Sequence, residues 1–285
     1  MHKTRNLTML AGAACALLVA TGCASSSGGN TQDLGEVAED CVPTHEFETV
    51  KPGVLTVVPY EFMPYASVVD GELVGVDGKV ISEFAERQCL TVSIMQLPAA
   101  SALESIATNQ TDLALGGWYK SPERAEQFGE TVDVYYDFSA LISAEENGYS
   151  TLDDLQGKKI ALVQGQSWVD DVIGMYGADN VTVYQTPDAA IAEVQNGRAD
   201  AAFVGAAEGS VILAKKDGLA LNRIEPDDRL FASQEVYAIN YPHSKANTGL
   251  GEALDVTIEE MRNDGSIQGF LKEYDLTDPD FFGPH

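Results

Sequence analysis

Apolar positions along this chain follow two alternating periods. From residue 53 onward, short unbroken apolar runs alternate with stretches whose apolar residues recur every three to four positions. The runs predict strands over 55–58, 90–97, 112–115, 159–163, 181–184, 201–204 and 236–240. The longer period predicts helices over 79–87, 101–108, 168–176, 188–195, 208–215, 250–262 and 267–274, with a short one through Glu123 and Arg124. In the first of these the buried side is carried by Val80, Ile81, Phe84 and Ala85. Short strands alternating with helices build parallel sheets covered on both faces. The alternation comes in two sets, the second starting near Leu152, and so predicts two α/β lobes.

The first thirty residues follow a different pattern. His2, Lys3 and Arg5 precede an uncharged apolar run over 7–20. That run is too short for a stable bilayer-spanning helix and fits the core of a signal peptide. It ends in Ala20-Thr21-Gly22-Cys23, which resembles the lipobox of bacterial lipoproteins, where small residues suit the peptidase and the thiol receives a diacylglycerol. The expectation is a lipoprotein signal peptide over 1–22, lipidation at Cys23, and an exported protein held to the membrane through its lipid alone. Residues 23–40 are small and polar, then acidic, and predict a flexible tether. No other run is apolar for long enough to span a bilayer.

Charge narrows the partners. The chain carries 17 basic and 44 acidic residues, a formal net charge of −27. Such a surface repels phosphate backbones, which sets nucleic acids aside. An acidic solvated surface also keeps a protein soluble, so the balance alone does not require a cationic ligand. Cys15 lies in the signal and Cys23 in the lipobox, leaving Cys41 and Cys89 as a pair in an oxidising compartment. They predict a disulfide tying the start of the fold to the end of the first long helix. His2, His45, His243 and His285 are scattered, and no metal-ligand spacing occurs, so neither a metal nor a cofactor is expected.

A series of motifs runs along the chain in order. Pro64-Tyr65 follows the first strand, and Gly71-Glu72-Leu73-Val74-Gly75-Val76-Asp77 leads to the first helix. Thr111-Asp112-Leu113-Ala114-Leu115-Gly116-Gly117 precedes Ser121-Pro122-Glu123-Arg124. Leu152-Asp153-Asp154-Leu155-Gln156-Gly157-Lys158 opens the second set, and Gly197-Arg198-Ala199-Asp200-Ala201 enters its third strand. Together, over roughly 53–276, they resemble the polar-amino-acid class (family 3) of ABC-transporter solute-binding proteins. The resemblance implies a two-lobed α/β fold of the periplasmic-binding-protein type (type II). Each lobe would be a mostly parallel sheet flanked by helices, and two crossovers would join them. Lobe 1 would be 41–138 plus 234–285, and lobe 2 would be 139–233. The ligand, small, polar and amino-acid-like, would lie between the lobes at the carboxyl ends of strands. A monomer delivering it to ABC permease subunits is the implied role.

The same resemblance assigns site residues. Arg124 follows Gly117 by seven residues, where the family clamps a ligand carboxylate. A guanidinium meets a carboxylate with two parallel hydrogen bonds. On composition alone it reads as a surface arginine on a short helix. Gly117, Trp118, Tyr119 and Ser121 share its loop. Glycine permits close backbone approach, and Ser121 either donates to the ligand or caps the helix. Gly165-Gln166-Ser167 joins a strand to a helix; its amides either meet the same carboxylate or form an ordinary turn. Phe62 falls where the family places an aromatic lid. Trp118 and Tyr119 are candidate walls beside it, while Trp168 reads as core.

Two positions depart from the family. Where many members carry an aspartate for the ligand's α-amine, this chain has Gly205, and a second pocket aromatic is replaced by Ala99. An ammonium desolvated there needs another partner. Glu61 or Glu208 could supply it, the faces of Trp118 and Tyr119 could, or the ligand's amine is modified; the aromatic contact is the preferred expectation. Two rival functions share this fold. An enzyme on this fold finds little support, since Gly165-Gln166-Ser167-Trp168-Val169 lacks the last glycine of a nucleophile elbow. A sensor or adaptor lipoprotein would use the same pocket.

Overall fold

The computed structural model describes residues 32–34 and 37–283, apart from 165, 167 and 235. The signal peptide, Cys23, most of the tether, Gly165 and Ser167 lie outside the described residues.

The first sheet is built around β2. In chain order the elements are β1 (Gln32–Leu34), β2 (Val54–Pro59), the hairpin β3 (Ser67–Val69) and β4 (Glu72–Val74), α1 (Val76–Arg87), β5 (Thr91–Ile94), α2 (Ala99–Ala107) and β6 (Leu113–Leu115). The sheet order is β1-β5-β2-β6. β2 runs parallel to both neighbours, with Val57 opposite Ile94 and Leu113. All six β2 residues are buried, as expected for a strand covered on both faces. Cys41 and Cys89 form the expected disulfide, with Cα atoms 5.8 Å apart. Within the stretch read as tether, Gln32–Leu34 instead pair antiparallel with β5. Edge pairing needs only backbone donors and acceptors, so composition did not reveal it.

Two antiparallel strands carry the chain between the sheets. After α3 (Pro122–Gln127) comes β7 (Tyr135–Asp137), which leads directly into the second sheet. That sheet comprises β8 (Ser139–Ala144), β9 (Ile160–Val163), β10 (Val181–Tyr184), β11 (Ala201–Gly205) and β12 (Leu219–Arg223), interleaved with α4 (Val169–Tyr176), α5 (Pro187–Gln195) and α6 (Ala206–Leu213). Its order is β10-β9-β11-β8-β12. β9 is parallel to β10 and β11, while β8 is antiparallel to β11 and β12. Sequence periodicity missed β8 and β12, so this sheet is more mixed than expected. The chain returns through α7 (Phe231–Gln234) and β13 (Tyr237–Ile239), which pairs with β7, and ends in α8 (Thr248–Asn263) and α9 (Ser266–Lys272).

One buried cluster extends from Val80 and Phe84 of α1 and Leu254 and Ile258 of α8, through Tyr135 and Phe138, to Ile191 and Val204. A second, around Leu141, Leu162, Phe203 and Trp168, fills the other face of the second sheet. Trp168 is therefore core. Asp200 accepts a hydrogen bond from the Lys159 amide at 2.8 Å, the structural part expected of a turn aspartate. Among the described residues, no helix is long and apolar enough to cross a membrane, and no acidic, histidine and cysteine cluster could hold a metal.

Candidate functional site

The loop leaving β6 is held from three sides. Gly116 and Gly117 adopt φ of 99° and 74°, which glycine tolerates and side chains resist. A Cβ at Gly116 would stand 2.4 Å from the Tyr60 carbonyl oxygen, and one at Gly117 2.9 Å from the Phe62 ring. Asp77, at the head of α1, accepts the Gly116 amide at 2.7 Å and the hydroxyls of Tyr135 and Tyr241 at 2.7 and 3.0 Å. Burial pushes the Asp77 carboxyl up against the pull of those three donors, and the balance stands at about 6. Further along, Lys120 donates to Ala238 and Asn240 to Trp118, so the loop lies on the crossover strand β13.

Most of the predicted ligand residues sit on this loop. The Ser121 hydroxyl accepts the Arg124 amide at 3.3 Å and caps α3, the second of its two possible roles. The Gly117 backbone is covered by the Phe62 and Tyr65 rings, so its glycine serves close packing. The Trp118 indole donates to the Leu115 carbonyl at 2.9 Å. Arg124 donates to the Tyr119 carbonyl and lies 4.3 Å over the Tyr119 ring and 5.1 Å over that of Trp118. The two aromatic faces expected to take a ligand cation are thus occupied by a guanidinium of the chain itself. Arg124 has no carboxylate partner among the described residues. Phe62 joins an aromatic row, with ring centroids 6.0 Å from Tyr60 and 5.7 Å from Tyr65.

Opposite Phe62 lies a cavity of about 330 Å³. Glu61 and Phe62, just past β2, form one wall; Asp188, Glu208, Lys215 and Lys216 stand on the other. Asp188 begins α5 after β10, and Glu208 begins α6 after β11, so the cavity opens at the carboxyl ends of strands from both sheets. Glu208 is pushed up to about 7 by burial, with Asp137 and Asp188 adding to the shift. Gln166 forms part of the turn before α4, its carbonyl accepting the Val169 amide at 3.3 Å. A groove of about 640 Å³ beside the disulfide is larger, but it lies along α1, away from these charges.

Three groups near the cavity escaped the sequence reading. Asp137, at the end of β7, accepts the Phe138 amide at 2.8 Å and the Ala207 amide at 3.2 Å. Its carboxyl is pushed up to about 6 by burial. Tyr65 is fully buried, and its hydroxyl has no hydrogen-bond partner among the described residues. Asp188 completes the acidic wall. The sequence signal for Asp137 was a lone acid inside an otherwise apolar run, Val134-Tyr135-Tyr136-Asp137-Phe138.

Comparison with known proteins identifies the family of the chain. Residues 55–277 match the family described as bacterial extracellular solute-binding proteins, family 3. The chain is 22% identical over 266 residues to the arginine-binding extracellular protein ArtP of Bacillus subtilis, covering 92% of this chain and 94% of that one. It is 26% identical over 212 residues to the histidine-binding periplasmic protein of Escherichia coli K12, covering 72% and 80%. An ancestral cationic amino acid solute-binding protein superposes with a TM-score of 0.68 at 17% identity, covering 79% of this chain and 96% of that one. AbpA of Streptococcus pneumoniae, bound to L-arginine, superposes at 0.60 with 20% identity, covering 79% and 96%. At these identities the structural likeness speaks for the fold.

Proposed function

The chain belongs to the bacterial extracellular solute-binding proteins of family 3, and from that membership we propose that it captures a cationic amino acid between two lobes for an ABC importer. The observation that carries the reading is the cavity between Glu61 and Phe62 on one wall and Asp188 and Glu208 on the other, where Lys215 and Lys216 also stand. Glu208, its carboxyl pushed up to about 7 by burial, gains most when a cation arrives, while Glu61 and Asp188 are exposed. The curated relatives named for arginine and histidine binding agree with that charge. Arg124, free of any acidic partner among the described residues, supplies the carboxylate contact by turning from the Tyr119 and Trp118 faces. We divide the lobes at 41–138 plus 234–285 and 139–233; β7 ending at Asp137 and β8 starting at Ser139 support the division. The role is binding, by a monomer anchored to the outer face of the membrane through Cys23. An N-terminus other than a lipidated Cys23 in the mature protein would remove the anchor.

The test is a thermal-shift screen of the amino acids followed by calorimetry. Arginine, lysine or histidine should raise the melting temperature, because ligand bound only to the native state stabilises it. Arg124→Ala should then weaken binding by about tenfold to a few hundredfold, since a charged hydrogen bond is worth roughly 1.5–3 kcal/mol. Arg124→Lys should lose much of the same, as an ammonium cannot reproduce the fork. No shift with any amino acid would overturn the reading, and an Arg124→Ala variant of wild-type affinity would overturn the clamp.

A further inference from the structure

β11 ends at Gly205, and no side chain of its own reaches from there towards the ligand space. The backbone does not demand glycine, since φ is −67°. A Cβ built there would meet one atom of the described residues within 4 Å, the Asp137 Oδ2 at 3.7 Å. An aspartate at 205 would therefore send its carboxylate into the neighbourhood that Asp137 already fills. We propose that Asp137 holds the α-ammonium of the ligand, a specificity-determining carboxylate carried by the crossover strand β7 instead of the second sheet. The assignment rests on the amino-acid reading above and names the residue that meets the ligand's cationic end.

Three observations support it. Asp137 Oδ1 is used locally, accepting the Phe138 and Ala207 amides, while the Tyr65 hydroxyl and the Ala206 amide act on the same carboxyl in looser geometry. A buried carboxylate oxygen with capacity to spare is poised for a donor from outside. The Tyr65 hydroxyl is fully buried beside Asp137, near enough to act on its carboxyl yet without a hydrogen bond of good geometry among the described residues. Buried hydroxyls ordinarily find a partner, and a donor-rich group bound beside Asp137 would organise both. Asp137 also interacts with Glu208 on the cavity wall, so it belongs to the same electrostatic site. β7 joins the two sheets, so a ligand held there would touch the segment that bends when lobes close.

Calorimetry on the exported chain with L-arginine, L-lysine and L-histidine tests the assignment through a transplant. Asp137→Asn should weaken binding of whichever amino acid binds wild type by about tenfold to a hundredfold. Asp137→Asn with Gly205→Asp should recover affinity to within about tenfold of wild type, because the acid is returned to the same space from β11. Aspartate is a favoured N-cap and Gly205 caps α6, so the double variant keeps a carboxylate at that helix even if the single variant fails to fold. Nα-acetylarginine, whose α-nitrogen is uncharged, should bind wild type and Asp137→Asn equally weakly. Wild-type affinity in Asp137→Asn overturns the assignment while leaving the amino-acid reading standing. So does a folded double variant that stays weak, because Asp137 would then act only as scaffold. A wild type that binds no amino acid fails the broader reading first, and this assignment with it.

Discussion

Both sheets hand their chain to the ligand side through glycine, and the two exits obey different rules. At the end of β6, Gly116 has a positive φ and a Cβ would strike the Tyr60 backbone 2.4 Å away. At the end of β11, Gly205 has an ordinary φ and a Cβ would touch only the Asp137 carboxylate at 3.7 Å. The first glycine is a requirement of packing. The second is a choice of side chain, and the acid it omits stands nearby on β7. Each exit rests on a buried carboxylate, but these also differ. Asp77 accepts three well-formed donors from its own protein, whereas among the described residues Asp137 accepts two, both on one oxygen, with the Tyr65 hydroxyl and Ala206 amide only in looser reach. A saturated acid is scaffold; an unsaturated one can take a ligand.

The sharpest way to break this comparison is to substitute the first exit. Gly116→Ala should cost about 3–4 kcal/mol, combining backbone strain with a clash against main chain that cannot rotate away. Urea unfolding checks it. A cost below about 1 kcal/mol would mean the two exits are interchangeable.

A second test uses pH. Asp77 and Asp137 are pushed up to about 6 and Glu208 to about 7, each mainly by burial. Folded carboxyls therefore hold protons that the unfolded chain has released between an ordinary carboxylate value near 4 and these higher values. In that window the native state binds more protons, so stability falls as pH rises through it. Without ligand, the melting temperature should climb on going from pH 7.5 to 5.5. Affinity for a cationic amino acid should move the opposite way, falling as Glu208 and Asp137 take up protons. Asp137→Asn should flatten both slopes. A melting temperature that falls over the same interval would refute the sign.

How much of this the sequence revealed follows from what each part depends on. β2, β9 and β11 are continuous buried runs, and α5 and α8 are amphipathic, so the alternation was legible. β8 carries Ser139 and Ser143 among its apolar residues, and β12 is half-buried throughout, so neither gave a clear period. The loop from Gly117 to Arg124 was legible because it is contiguous and follows a family motif. Its present contacts were not: the Arg124 stack on Tyr119 and the Ser121 cap depend on rotamers that spacing does not specify. The acidic half of the site was least visible. Asp137, Asp188 and Glu208 come from three separate elements and meet only after both sheets have formed.

The smallest expected effect falls on the second exit. Gly205→Ala places a methyl where 3.7 Å to the Asp137 Oδ2 is ordinary van der Waals contact. Alanine is a poorer N-cap than glycine, which costs α6 a few tenths of a kcal/mol. Against that, alanine restricts the unfolded chain and returns roughly 0.4–1 kcal/mol where the native φ suits it. The two nearly cancel, so stability should change by less than about 0.5 kcal/mol. Amino-acid affinity should also stay within a few-fold, because the methyl removes no hydrogen bond from Asp137. Urea unfolding and calorimetry on this one variant read both quantities. A loss above about 2 kcal/mol would mean that the β11 exit is packed as tightly as the β6 exit. The space in which Asp137 stands in for an aspartate at 205 would then not exist.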